Sequence, residues 1–373
     1  MTRICDESRI MFAEIFPFLA SHSAAILAAG GLIIGLIFGA VVIATNFCTM
    51  GAIADIMTSA DYRRFRAWVL AAAVALAGTQ ALDGAGVISL SQSIYLNGRI
   101  NWFGSVAGGL VFGFGMVLAG GCPARNLARA GGGDMRALTT VLIMGLSASI
   151  AMTGLFAPMR LFAEQHTAIM LPKGTAGSLA DLTALTFHLG SVEAVRLVLT
   201  SLGAGAVIVW CLSDAAFRRS ARDILAGLVI GGCAIAGWAL TSLGQDEFAI
   251  RPTQLTSVSF VRPVADSIDY VTLFTGMDSM GFGVALVIGT IFGAAAAALL
   301  TGRFRLQGFA DQVDSWRNLV GAVLMGFGGV VAVGCSIGQG ITGISTMAAA
   351  SFLAFAAITS GAVLGIRWLE RRV

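Results

Sequence analysis

GFGMVLAGGCPARNLARAGGG, residues 113–133, is the stretch that decides the fold, because it returns as GFGGVVAVGCSIGQGITGIST at residues 326–346. Laid over each other without a gap, the two share Gly-Phe-Gly, then Val117 with Val330, Ala119 with Ala332, and Gly121-Cys122 with Gly334-Cys335. Each copy is an apolar run that breaks at a glycine, presents one cysteine and continues polar and glycine-rich. In a chain with 48 glycines a single shared glycine means little, but a duplicated break with its cysteine in register does not follow from composition. The apolar runs that lead into the breaks, Val106–Gly121 and Leu319–Gly334, are each roughly 16 residues, or about 24 Å of helix, which falls short of a full membrane span. They are therefore expected to be interrupted helices that end inside the protein body. Irregular backbone at membrane depth is tolerated only where protein or a watery cavity covers it.

The rest of the chain says what surrounds these breaks. Of 373 residues, 57% are hydrophobic and 12% charged, and the mean hydropathy is +0.86. Apolar runs of spanning length recur from Ala24 to Trp368, so the chain reads as an integral, multi-pass membrane protein in the lipid bilayer. The net charge of +3 then reports topology rather than nucleic-acid binding. The six cysteines, at 5, 48, 122, 211, 233 and 335, form no C-x-x-C pair, and with three histidines a metal site is not expected. No phosphate-binding loop, dinucleotide fingerprint or zinc-protease motif occurs in a suitable context, and no soluble domain remains to hydrolyse a nucleotide, so neither a cofactor nor an enzyme activity is expected. No small-residue cleavage site closes the first apolar run, which is read as a retained helix.

Arginine placement sets the orientation. Nine apolar runs can be counted, and the loops after the first, third, fifth and seventh, together with the C-terminus, carry arginine clusters: Arg63, Arg64 and Arg66; Arg125, Arg129 and Arg136; Arg218, Arg219 and Arg222; Arg303, Arg305 and Arg317; and Arg367, Arg371 and Arg372. By the positive-inside rule these loops are cytoplasmic, which puts the N-terminus outside. The expected fold is all-α: a polytopic protein of about nine transmembrane helices, in two inverted repeats with interrupted helices at the centre. The division is a segment 1–23, a first repeat 24–160, a loop and linking helix 161–222, a second repeat 223–366, and a tail 367–373. Repeats of this kind build many transporters, whose substrate site lies between the halves on broken helices. Gly31, Gly35 and Gly39 in the first run have the spacing that lets helix backbones approach closely in lipid. The sixth run opens on Gly227-Leu-Val-Ile-Gly, echoing Gly31-Leu-Ile-Ile-Gly, and this register sets Gly244 opposite Cys48.

Candidate functional residues follow from the breaks. A cysteine in an apolar helix is ordinarily a small hydrophobe, which is the reading for Cys211 and Cys233; Cys5 reads as an exposed terminal residue. Cys122 and Cys335 sit where a helix stops, at matched positions, and Cys48 occupies a similar turn, Asn46-Phe47-Cys48-Thr49-Met50-Gly51. A neutral thiol is a weak donor with a soft sulfur, and glycine-rich turns at helix ends offer backbone N–H groups to negative charge. Together they suit an anion that exposes a sulfur. Gly121, Gly334, Arg125, Asn126 and Gln339 are the supporting candidates. Arg125 and Arg129 share a helix face, with a topological role first and anion attraction second. Asp55, Asp83 and Gln339 stand at run ends, where solvated caps are the ordinary occupants.

The residues Phe47-Cys48-Thr49-Met50-Gly51-Ala52-Ile53-Ala54-Asp55, Gly121-Cys122-Pro123-Ala124-Arg125-Asn126-Leu127 with Gly131-Gly132-Gly133, and Gly326-Phe327-Gly328 through Gly334-Cys335-Ser336-Ile337-Gly338-Gln339-Gly340 closely resemble the YeeE/YedE family of thiosulfate and sulfur-compound transporters. The resemblance spans nearly the whole chain. It implies a bacterial inner-membrane uptake protein in which Cys48, Cys122 and Cys335 line a central path and pass thiosulfate inward by hydrogen bonds between thiol and sulfur. It also implies a small cytoplasmic sulfur-carrier protein as a partner. The Cys-Pro-Ala-Arg turn is closer to the YedE branch, for which selenium compounds are an alternative cargo. A membrane thiol oxidoreductase, which would need paired cysteines, and a passive anion channel, which would need none, are the other classes.

Overall fold

The computed structural model describes residues 2–172, 175–188, 190–244, 254–276, 280–309 and 312–371, with side-chain surroundings from residue 23 onward. It is helical almost throughout; among the described residues the only sheet is a two-residue pairing of Arg99–Ile100 with Ile169–Met170. Among the described residues eight helical stretches are long and apolar enough to cross a membrane. The chain is thus an all-α polytopic membrane protein.

The long helices are α1 (Thr2–Thr45), α3 (Arg63–Gly84), α4 (Trp102–Leu118), α6 (Met135–Met152), α9 (Val192–Ser213), α11 (Ala221–Leu243), α13 (Phe282–Leu300), α14 (Gln312–Val331) and α15 (Ala349–Glu370). Shorter helices lie between them: α2 (Thr49–Ser59), α5 (Pro123–Gly131), α7 (Ala157–Thr167), α8 (Leu179–Phe187), α10 (Ala215–Arg218) and α12 (Val261–Thr272). The spanning-length apolar part of α1 begins at Ser23. Of the nine runs, the eighth is the exception: α14 opens on Asp314, Arg317 and Asn318, and these lower its hydropathy below that of a free-standing span. Asp314 pairs with Arg136 at 2.6 Å, and Asn318 is buried and donates to the Ala119 carbonyl at 3.2 Å, so the polar groups of this end are engaged by neighbouring helices.

Packing between helices has a repeating form. α1 lies along α13 as α11 lies along α3, and α4 lies along α15 as α14 lies along α6. Exchanging α1, α3, α4 and α6 with α11, α13, α14 and α15 maps this set of contacts onto itself, as a twofold relation between the halves requires. Counting each long helix as one crossing, α9 separates two sets of four, and the second set starts from the opposite face. The fit depends on glycine: a Cβ on Gly35 or Gly39 of α1 would strike the backbone of α13 at Leu286 and Thr290. Such small-residue seams are how helices pack closely where lipid supplies no hydrophobic drive.

α4 and α14 cross at the centre, antiparallel. A Cβ on Gly108, near the start of α4, would lie 2.5 Å from the Ala332 nitrogen at the end of α14; one on Gly321 would lie 2.5 Å from the Ala119 nitrogen at the end of α4. Eleven positions separate Gly108 from Ala119, so at 1.5 Å per residue the two breaks stand about 16 Å apart along the bundle, a separation shorter than a ~30 Å hydrocarbon layer. α9 is the peripheral helix, packed on α3 and exposing Leu197, Val198, Leu202 and Val209.

Candidate functional site: cysteines at two helix breaks

Both apolar runs end as the repeated motif predicts, but three residues before the glycine. α4 stops at Leu118 and α14 at Val331. The turn is made by Gly120 (φ 69°) in the first copy and by Val333 (φ 57°) in the second. The left-handed region is costly for a β-branched residue, so Val333 is a strained position that its surroundings must hold.

After each turn a new short helix begins with the cysteine at its N-cap. Cys122 (ψ 164°) caps α5, with Pro123 in the first turn, where a missing N–H costs nothing. Cys48 (ψ 130°) caps α2 in the same way. Cys335 precedes helical residues 336–345, of which Gly338–Gly343 form a π-turn. The Gly338 N–H donates to Cys335 Sγ at 3.3 Å. Three helix N-termini, with their unsatisfied donors, are therefore held beside three sulfurs. All three thiols are buried; Cys122 is 1% and Cys335 0% exposed.

The fold brings together what the sequence keeps apart. Cys48 and Cys122 lie 74 positions apart with their sulfurs 3.8 Å from each other. Spacing along the chain offered no close cysteine pair, and tertiary packing makes one. Their placement rests on Asn46, at φ 59°, whose carbonyl accepts from Arg64 at 2.6 Å and whose Oδ1 accepts from Arg125 at 2.8 Å. Arg64 also pairs with Asp55 at 2.9 Å. The two basic residues beyond Cys122 thus differ. Arg129 is spent on Asp134, while among the described residues no carboxylate comes within ion-pair distance of Arg125.

Asn126 and Gln339, each four residues after its cysteine, do equivalent work. Asn126 Nδ2 donates to the Gly121 carbonyl at 2.9 Å, and Gln339 Nε2 to the Ala332 carbonyl at 2.5 Å. Each amide ties the start of a short helix back to the break in front of it. Asn126 is 1% and Gln339 2% exposed, so Gln339 is a buried strut and not the solvated cap that its position at a run end suggested. Asp83 is no free cap either; it accepts from Arg196 and from the Leu90 N–H. Among the described residues the oxygens Asn126 Oδ1 and Gln339 Oε1 have no hydrogen-bond partner, although both are buried.

The second break opens onto a cavity of about 600 Å³ whose wall includes Ser257, Ser259, Arg262, Gly329 and Gly334. Ser259 Oγ stands 3.9 Å from Cys335 Sγ, the place that Cys48 takes beside Cys122. The expected counterpart of Cys48, Gly244, ends α11 and is not beside Cys335; residues 245–253 after it lie outside the described residues. The signal that finds Ser259 is a different register. Ala54-Asp55 follows Cys48 by six and seven residues, and Ala265-Asp266 follows Ser259 by six and seven. Cys211 and Cys233 take no part: Cys211 is buried in α9 with its thiol on the Arg66 carbonyl at 3.4 Å, and Cys233 is buried in α11. The surroundings of Cys5 lie outside the described side chains.

Comparison with known proteins agrees with this architecture. A thiosulfate transporter TsuA of Escherichia coli is 30% identical over 330 residues, covering 83% of this chain and 86% of its own. A thiosulfate transporter TsuA of Spirochaeta thermophila is 26% identical over 330 residues, covering 87% and 93%. Both are named as transporters, and this chain too is a transporter and not an enzyme. The model of the sulphur transport family matches residues 44–364, from the turn that carries Cys48 to the last membrane helix, and the chain belongs to that family.

Proposed function

We propose that the chain takes up thiosulfate, or a closely related sulfur-bearing anion, across the bacterial inner membrane through a central path of cysteine thiols. The observation that carries this proposal is the pairing of Cys48 and Cys122 at 3.8 Å, on two helix N-termini, with Cys335 at the matched break of the other half. Thiosulfate is a dianion with a soft terminal sulfur and three oxygens. Leaving water costs it most of its hydration, and a charged group in a low-dielectric interior is stable only with donors around it. Each thiol offers one S–H to the terminal sulfur, and each helix start adds N–H groups and the positive end of a dipole. Hydrogen bonds that break and re-form from thiol to thiol carry the ion, with no covalent intermediate.

The arginine clusters support an orientation for this path. The cavity before Cys335 faces outside, and Cys122, Cys48 and Arg125 face the cytoplasm, where a small sulfur-carrier protein would accept the anion. The two halves, 24–160 and 223–366, each contribute one break. The test is uptake of radiolabelled thiosulfate into proteoliposomes. Cys122→Ala and Cys335→Ala abolish it with the protein still monodisperse, and Cys→Ser at either site also fails, since serine keeps a donor but loses the soft sulfur. Transport that survives the triple alanine variant at 48, 122 and 335 defeats the proposal. Competition by selenium analogues in the same assay ranks the two cargoes.

A further inference from the structure

We infer that Ser259 is a specificity-determining residue of the outer break: it binds the oxygens of the anion whose sulfur meets Cys335. This rests on the transport reading above and adds a hard-atom contact to it.

The halves place one short helix beside each break, α2 in the first and α12 in the second, and a residue just ahead of each, the N-cap of α2 and the one before the N-cap of α12, faces the break cysteine. In the first half that residue is a thiol, Cys48, 3.8 Å from Cys122. In the second it is a hydroxyl, Ser259, 3.9 Å from Cys335. The inner pair is S–H with S–H, and the outer pair is O–H with S–H. A thiol is a weak donor with a soft sulfur, whereas a hydroxyl donates strongly to oxygen. A ligand with one sulfur end and one oxygen end is matched at both ends only by the outer pair.

Ser259 is also fixed in place. The residues ahead of it are tied down on three sides: the Thr256 carbonyl by Thr241 Oγ1 at 2.6 Å, Ser257 Oγ on the Ala234 carbonyl at 2.6 Å, and the Val258 carbonyl by Thr342 Oγ1 at 2.6 Å. Room for the hydroxyl comes from Gly338, where a Cβ would lie 2.6 Å from Ser259 Oγ. The same Gly338 donates its N–H to Cys335 Sγ, so hydroxyl, N–H and thiol converge at one point. Of the four residues in the two pairs, Ser259 is the one that lines the 600 Å³ cavity, and a ligand arriving there reaches it ahead of the buried thiols.

The mixed pair therefore takes in and orients the anion, and the inner thiol pair passes only what carries a sulfur. Sulfate, a tetrahedral dianion with oxygen ends alone, is expected to compete with thiosulfate at the outer break without being transported. Uptake kinetics in proteoliposomes test this. Ser259→Ala raises the KM for thiosulfate about tenfold or more, the scale of a lost hydrogen bond to a charged group, with maximal rate little changed. Ser259→Cys, which keeps the packing, transports thiosulfate but loses inhibition by sulfate. Unchanged KM in Ser259→Ala, or unchanged sulfate inhibition in Ser259→Cys, overturns the assignment. Absence of thiosulfate uptake by the wild-type protein would instead defeat the transport reading, so the two failures are distinguishable.

Discussion

Asn126→Leu removes the amide that ties α5 to the break in front of it, and its effect can be worked out from one contact. The side chain donates to the Gly121 carbonyl at 2.9 Å in a site 1% exposed to solvent. Leucine has the same number of heavy atoms and the same branching, with bulkier ends, so no cavity forms. What is lost is a buried carbonyl's donor, worth about 1–3 kcal/mol where no water replaces it. The substitution also removes Oδ1, which has no partner among the described residues, and this returns part of the cost. The net expectation is about 1–2 kcal/mol, or roughly a five- to thirtyfold fall in the population that holds Cys122 beside Cys48. Asn126→Asp should be worse, since it loses the donor and turns an acceptor toward an anion. The assay is thiosulfate uptake beside thermal unfolding of the purified protein in detergent. Uptake by Asn126→Leu should fall further than its modest loss of thermal stability would explain. Wild-type rates in both Asn126→Leu and Asn126→Asp would refute the idea that the amide sets the geometry of the break.

Other consequences are shorter to state. Oxidation by copper phenanthroline should join Cys48 to Cys122, since their sulfurs need to close from 3.8 Å to about 2.05 Å. Two thiols should then resist labelling and uptake should stop until a reductant is added, and Cys122→Ala should abolish the cross-link. Gly321→Leu puts a side chain against the Ala119 backbone at the crossing of α4 and α14, so the overpacked protein should fail to accumulate in membranes, whereas Gly232→Leu, at an open position, should accumulate normally. Cys211→Ala and Cys233→Ala should leave uptake intact within experimental scatter, because neither thiol lies at a break.

The membrane class and the two breaks were legible because each depends on local chemistry. Apolar length needs only composition, and Gly121-Cys122 with Gly334-Cys335 needs only a gapless overlay. Contacts between distant segments were not legible. Nothing at position 48 says that its sulfur meets Cys122, since that contact depends on the Asn46 turn and on Arg64 and Arg125 reaching it from other helices. Gln339 read as a surface cap because polar residues at run ends usually are. Its burial follows from the way residues 336–345 fold back into the bundle, which no helical periodicity records. Gly244 was matched with Cys48 through a glycine pattern that reports helix packing, and such patterns recur wherever helices pack.

The two registers within the second half have a physical cause. Glycine spacing aligns membrane helices, and α1 and α11 do correspond when overlaid on it. More of the chain lies after α11 than after α1 before the break-facing residue, however: sixteen positions separate Leu243 from Ser259, where the first half passes from Thr45 to Cys48 in three. An insertion of that kind moves the break-facing residue along the chain without moving it in space. It is carried by the short helix that packs on the next span, and so its register is set by Ala-Asp, which belongs to that helix, and not by the glycines behind it. The asymmetry between Cys48 and Ser259 then sits at one point of an otherwise twofold frame. A path built from two like halves would treat an anion alike from both faces. On the proposed path, hydroxyl on one side and thiol on the other would make an oxygen-reading mouth and a sulfur-reading exit.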